Sequence, residues 1–365
     1  MERKTKILII GMSSTVGGVE TFIMNLYNNI DDSKYDIDFL VQDNLNGIYK
    51  EMIEKKQGKV HIVPNFKKHP IKCFNTLEKI YHENNYDVIH LNLCNASLIM
   101  YAIVAKLINR ETKIISQSHS SSDNKVLQHS IFRIFLDCYT DEYVSCSDYA
   151  SEWMFGKKIT GSGKVKVIKN GIETKKYIYN EEIRQKIREK YNLKNKFVIG
   201  HVGRFESVKN HIFLIDVFQE ILKKNSEAVL LLVGTGSLEE KIRQKVIDLG
   251  LEYNVIFVGL CSNVNEIYQA MDVFVLPSIF EGLPIVGVEA QASGLHCVFS
   301  DSITRKSDIS GNVKYMSLES GKEIWAKEIL NNIEYVRENM EEKIKLAGYD
   351  LNDIIKKIEQ IYNKK

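Results

Sequence analysis

Short apolar runs alternate with longer amphipathic stretches along almost the whole chain. Runs rich in branched and aromatic residues occupy Lys6 to Ile10, Asp36 to Val41, Val60 to Pro64, Asp87 to Leu93, Lys113 to His119, Glu142 to Cys146 and Lys164 to Ile168. Each is short and apolar on both faces, as a strand buried in a parallel sheet is, and each is followed by residues with helical periodicity. A second series opens at Phe197 to Phe205 and continues through Glu227 to Val233, Val255 to Gly259 and Asp272 to Leu276. From Glu319 onward the pattern is helical and amphipathic. The alternation predicts an α/β protein with two doubly wound parallel sheets. In such sheets ligands gather at the carboxyl ends of strands, so the loops after these runs are where chemistry is expected.

Length agrees with two domains: 365 residues exceed one typical core of ~100–200 residues. The Asn170-Gly171 turn and the polar, charged segment from Thr174 to Asn195 mark the boundary, with a helix-containing linker. A formal charge of +2 gives nucleic-acid binding no support. The six cysteines form no Cys-x-x-Cys pair; reduced, buried thiols in a cytoplasmic protein are expected, without a metal site. Ile7 to Ile10 is too short for a signal-peptide core and reads as the first strand. The longest apolar stretch, Ala96 to Ile108, contains Lys106 and falls short of the ~20 residues of a membrane-spanning helix.

The most informative loop follows Asp272 to Leu276 and reads Pro277-Ser278-Ile279-Phe280-Glu281-Gly282-Leu283-Pro284, leading into a helix through Glu289 and Ala290. Pro284 suits a first helical turn, and Gly282 lets backbone approach a ligand. Glu289 lies eight residues after Glu281, about two turns on at ~3.6 residues per turn, which predicts that both acids face roughly the same side. A helix start attracts phosphate and flanking carboxylates accept hydrogen bonds from sugar hydroxyls, so a nucleotide sugar fits. The loop after Phe197 to Val202 carries Gly203-Arg204-Phe205-Glu206-Ser207-Val208-Lys209, whose two cations can clamp a diphosphate leaving group. Gly17 and Gly18, after strand one, allow backbone N–H groups to approach the diphosphate or the sugar. Gly11 and Gly17 are too far apart for a dinucleotide fingerprint. His119 closes an apolar strand at its ligand end. Ser147 or Asp148, in Ser145-Cys146-Ser147-Asp148, reads as a helix N-cap. Asp36-Ile37-Asp38 precedes a strand at the wrong end for a ligand and reads as a solvated strand start. Gly234-Thr235-Gly236 reads as a turn that packs near a nucleotide or touches it. Lys67, Lys68, His69 and Lys72, with Lys125 and Arg133, form basic clusters that are either solvated surface or a patch for an anionic membrane leaflet.

Strand, Glu-Gly-Leu-Pro and the second Glu, taken in this order, resemble the signature of family 4 glycosyltransferases, retaining enzymes with the two-domain GT-B architecture. The Gly-Gly-x-Glu at Gly17 to Glu20 and Arg204 with Lys209 resemble the same family. Lys169-Asn170-Gly171-Ile172-Glu173 also resembles its Pro-Asn-Gly-Ile/Val-Asp passage, with Lys169 for Pro and Glu173 for Asp. The resemblance implies two Rossmann-like domains facing each other across a cleft. An N-terminal acceptor-side domain would span 1–172, a linker 173–195, a nucleotide-sugar domain 196–340 and a terminal helix 341–365 returning to the first domain. It implies a hexosyltransferase-type reaction in which Arg204 and Lys209 stabilise the leaving phosphate. Glu281, with Gly282, Leu283 and Pro284, would hold the sugar and Glu289 the ribose. Val258, Gly259 and Leu260 would lie against the base, and His119, Gly17 and Gly18 would complete the donor pocket, His119 by binding sugar hydroxyls rather than moving a proton. The segment from Ser302-Ile303-Thr304 resembles the branch associated with bacterial exopolysaccharide and capsule assembly. A UDP-sugar donor without metal or other cofactor, a lipid-linked acceptor and peripheral attachment at the inner membrane face are the corresponding expectations. A GT-B epimerase and a non-catalytic nucleotide-sugar-binding subunit are the alternatives.

Overall fold

The computed structural model describes residues 3–363 except 15, 16, 43, 46, 121–125, 332 and 334. Lys125 therefore lies outside the described residues. The chain divides into two compact units, Met1–Gly171 with Leu351–Lys365, and Ile172–Asp350.

The first unit is built on seven strands, β1 (Thr5–Ile10), β2 (Tyr35–Val41), β3 (Val60–Ile62), β4 (Val88–Leu93), β5 (Lys113–Ser118), β6 (Glu142–Ser145) and β7 (Val165–Val167). Their order is β3-β2-β1-β4-β5-β6-β7, with Ile7 opposite Ile37 on one side and Val88 on the other, both parallel. Strand alternation divides β1 between two cores: Ile7 and Ile9 pack on one face of the sheet, Leu8 and Ile10 on the other. Helix Leu351–Asn363 belongs to the first of these cores, where it buries Leu351, Ile354, Ile355, Ile358, Ile361 and Tyr362. The spacing is that of an amphipathic stripe. Tyr362 also bonds through its hydroxyl to His90 Nδ1 at 2.8 Å.

The second unit has six parallel strands, β8 (Phe197–Val202), β9 (Ala228–Val233), β10 (Val255–Gly259), β11 (Val273–Leu276), β12 (His296–Ser300) and β13 (Val313–Met316), in the order β10-β9-β8-β11-β12-β13. The sequence reading has no strand at β12 or β13.

Three expectations need correction. Residues 173–195, expected as a helix-containing linker between the domains, are part of the second unit. They form helices Thr174–Tyr177 and Glu181–Lys190 and place Tyr177, Ile187 and Leu193 in the second core. Arg184 and Arg188 hold Asp272 at 2.5 and 3.2 Å, and the same carboxylate accepts the Val198 N–H at 2.7 Å. Residues from 341 do not all return to the first unit: helix Glu341–Leu346 buries Ile344 in the second core. Asp38 is not solvated. It is 2% exposed and accepts hydrogen bonds from Tyr86 at 2.7 Å and the Lys59 N–H at 3.0 Å. Burial raises its pKa, but the bonds from His61, Tyr86 and Lys59 outweigh that and lower it. Of the cysteines, all free, Cys73 and Cys297 are buried while Cys94 and Cys138 are exposed. No described helix is long and apolar enough to cross a membrane.

Candidate active site

In the second sheet the winding direction reverses between β8 and β11, which pair through Val273 with Ile199 and Phe274 with Gly200. Loops leaving the carboxyl ends of two such strands diverge and leave a crevice. Here those loops are 203–210 and 277–284. The Ile279 N–H donates to the Val208 carbonyl at 2.8 Å, joining them. Beside this bond Lys209 Nζ meets Glu281 Oε1 at 2.5 Å, both side chains largely buried, and Ser278 Oγ donates to the same oxygen at 3.3 Å. Residues far apart in sequence are thus fixed as one cation–acid pair. Gly203 makes room for it: a Cβ there would lie 3.2 Å from Lys209 Cδ and Cε. Gly234, at φ +129°, packs where a Cβ would come within 2.1 Å of the Gly203 carbonyl oxygen. The Phe205 N–H donates to the Thr235 carbonyl at 2.9 Å. Gly234-Thr235-Gly236 is therefore a brace for the Arg204 loop. Arg204 itself is exposed and makes no ion pair among the described residues. Behind Lys209, buried His201 and His211 stack edge to face at 4.6 Å. Burial holds His201 far below the usual imidazole range and His211 down to about 3, with Lys209 adding to the effect on each.

Helix Ile285–Ala292 starts with Pro284 as its N-cap, one residue later than expected. Glu281 precedes the helix and lies in the loop, so the two acids do not line one helical face. Glu289 is 6% exposed and sits between two phenols: Tyr177 donates to Oε1 at 3.0 Å and Tyr268 meets Oε2 at 3.0 Å. Burial pushes its pKa up to about 7, against the two hydrogen bonds, which lower it. These tyrosines are absent from the sequence reading, and only their distance from Glu289 in the fold reveals them. Leu283 packs against the second core, and Gly282 is exposed. Val258 and Gly259 end the edge strand β10 and Leu260 follows it; β10 is separated from β8 by β9. Leu260 is exposed, and Gly259 accepts the Gly234 N–H at 3.0 Å.

In the first unit Gly17 is the N-cap of helix Gly18–Asn29, and Gly18 faces open space. Glu20 turns back to accept from the Ser13 N–H and hydroxyl at 3.1 and 2.6 Å, shaping the turn. His119 Nε2 meets Asn92 Oδ1 at 2.8 Å, and the ring lies 5.0 Å from Phe22. Burial, then neighbouring His90, press its pKa down to about 3 against the Asn170 side chain. It is therefore a neutral hydrogen-bonding group. Ser147 is the N-cap of helix Asp148–Gly161, accepting the Ala150 N–H at 3.2 Å. Ser147→Ala is expected to cost about 1 kcal/mol in chemical denaturation and to leave nucleotide binding unchanged; weakened binding would give Ser147 a ligand role. Among the described residues no three His, Cys, Asp or Glu side chains gather as a metal site would require.

Two parallel-sheet units, with a cation–acid pair at the winding reversal of the second, have the GT-B fold of glycosyltransferases. The solved structure of Anabaena Alr3699/HepE, in complex with UDP and glucose, superposes with a TM-score of 0.78 over 99% of this chain and 100% of its own, at 18% identity. The model for "Glycosyltransferase Family 4" matches residues 16–176 and that for "Glycosyl transferases group 1" residues 183–346. EpsF of Bacillus subtilis, a candidate glycosyltransferase, is 30% identical over 95% of this chain and 93% of its own. The chain belongs to glycosyltransferase family 4. More distant relatives include the Escherichia coli UDP-Gal:alpha-D-GlcNAc-diphosphoundecaprenol alpha-1,3-galactosyltransferase, 23% identical over 82% of this chain and 80% of its own. Another is the capsular polysaccharide biosynthesis glycosyltransferase CapH of Staphylococcus aureus, 24% identical over 79% of each chain. The protein is a glycosyltransferase.

Proposed function

We propose that the enzyme transfers a hexose from a UDP-sugar, with retention of anomeric configuration, to a lipid-linked sugar acceptor in cell-surface polysaccharide synthesis. It would work in the cytoplasm, peripherally at the inner face of the membrane. The observation that carries this reading is the Lys209–Glu281 pair at the winding reversal, with the exposed cation of Arg204 on the same loop. The E. coli relative's UDP-Gal donor and diphosphoundecaprenol-linked acceptor, the UDP in HepE and CapH's capsular role support donor, acceptor and pathway.

In this mechanism the donor's phosphate takes over part of Lys209 from Glu281, which turns its freed lone pairs to the sugar hydroxyls. Arg204 adds a second cation, so negative charge growing on the leaving phosphate meets fixed positive charge, with no metal ion required. Val258, Gly259 and Leu260 receive the base. Glu289 accepts from the ribose: a carboxylate offers about four lone-pair positions, of which the two tyrosines use no more than two. No enzyme carboxylate forms a covalent intermediate, and the leaving phosphate takes the acceptor proton. Neutral His119 binds sugar hydroxyls, alongside Gly17 and Gly18.

Calorimetry with UDP, GDP and ADP, with and without magnesium, tests the donor side. UDP is expected to bind without metal and more tightly than the other two. Preference for GDP or ADP, or binding that appears only with magnesium, would overturn the corresponding part.

A further inference from the structure

The first unit carries an apolar surface that its own cores do not use. On helix Val126–Tyr139, Leu127, Ile131, Ile134 and Phe135 are all exposed, Leu127 by 78% and Ile134 by 70%. At helical spacing these four lie along one side, while His129 and Leu136, both buried, point the opposite way into the protein. Exposed aliphatic side chains scattered singly are ordinary, whereas an aligned group marks an interaction surface.

Lys67 Nζ hydrogen-bonds to Gln128 Oε1, fastening the 65–69 loop to the start of this helix. From that loop springs helix Pro70–Asn84, whose first turns expose Ile71, by 77%, and Phe74. Lys67, Lys68 and Lys72, all exposed, border these apolar side chains, and exposed Arg133 lies within the first helix. The acid on that helix, Asp137, is engaged by the Tyr143 hydroxyl at 3.3 Å.

We propose that this surface docks on an anionic lipid bilayer, the apolar side chains entering the boundary of the acyl region and the lysines lying among the headgroups. A second copy of the chain suits it less well, because a two-fold contact would set the same basic border against itself. The proposal rests on the reading that the acceptor is lipid-linked, and gives that reading a surface.

Flotation with vesicles of phosphatidylcholine, alone or mixed with phosphatidylglycerol, tests it on the full chain. The wild type is compared with an Ile131→Ser, Ile134→Ser double variant and a Lys67→Ala, Lys68→Ala, Lys72→Ala triple variant, and UDP calorimetry is run on each. The wild type is expected to float with the mixed vesicles and far less with phosphatidylcholine alone. Each serine should weaken binding about tenfold or more, and each alanine roughly fivefold, with added salt acting like the alanines. UDP binding should stay as in the wild type. The proposal is overturned if the wild type does not float, if it floats equally with both lipids, or if both variants float as the wild type does. It is also overturned if the serines abolish a concentration-dependent dimer while no form floats. A wild type that binds UDP but does not float sinks this surface alone; a wild type that floats but does not bind UDP counts against the donor reading alone.

Discussion

Arg204→Ala is expected to lower kcat by about two to three orders of magnitude, the usual cost of removing one donor aimed at charge that develops in a transition state, while UDP affinity falls much less. Arg204 is the cleaner of the two cations for this test. It is exposed and makes no ion pair among the described residues, so removing it leaves no carboxylate stranded and stability should not change. Lys209→Ala, by contrast, would also unpair the largely buried Glu281 and mix a folding effect with a catalytic one. An interaction formed equally with bound substrate and transition state would raise KM and leave kcat alone. Steady-state kinetics with the UDP-sugar tells the two apart, and an unchanged kcat would remove Arg204 from the chemistry.

Glu289→Gln should make the protein more stable above neutral pH and a poorer binder of UDP. The hydroxyl of Tyr268 lies 3.1 Å from the Val286 carbonyl and 3.0 Å from Glu289 Oε2, yet a phenol has one proton to donate. All three groups are satisfied when Glu289 is protonated and donates to Tyr268, whose own proton then goes to Val286. A glutamine amide reproduces that arrangement. The carboxyl's pKa rises from an ordinary 4.5 to about 7 on folding. Below pH 4.5 both states hold the proton and nothing is lost; between 4.5 and 7 the unfolded chain releases it first, so stability falls; above 7 the loss levels off at about 3 kcal/mol. The variant should match wild type in acid and exceed it by about 2–3 kcal/mol near pH 8, measured by urea denaturation at both pH values. Parallel pH dependence in the two proteins would show that Glu289 is charged throughout. Such a gain, set against weaker nucleotide binding, is what a functional site that sacrifices stability should display.

The strands were legible because period and composition are local properties. β1 to β7 and β9 to β11 fall within a residue or two of the apolar runs that announce them, and β8 begins where its run does and ends three residues sooner. β12 follows helix Ile285–Ala292 after a short turn, so its apolar run merges with the helix's own apolar pattern. β13 is a half-exposed edge strand carrying Lys314, with little to announce it. The Lys209–Glu281 loops were legible as candidates, since each follows a recognisable strand. The environment of Glu289 was not: Tyr177 is 112 residues away and Tyr268 is 21, and no periodicity links them. Asp38 escapes a sequence reading for the same reason, because Tyr86, which donates to it, comes from the approach to β4, 48 residues on.

The return of helix Leu351–Asn363 to the first unit also bears on how the molecule is made. A ribosome releases residues 3–171 long before this helix exists, so the sheet face beneath Tyr362 stays uncovered while the whole second unit is synthesised and closes its own core. The half made first is thus the half finished last, and the nascent chain would spend that interval with His90 and its apolar neighbours open to chaperones.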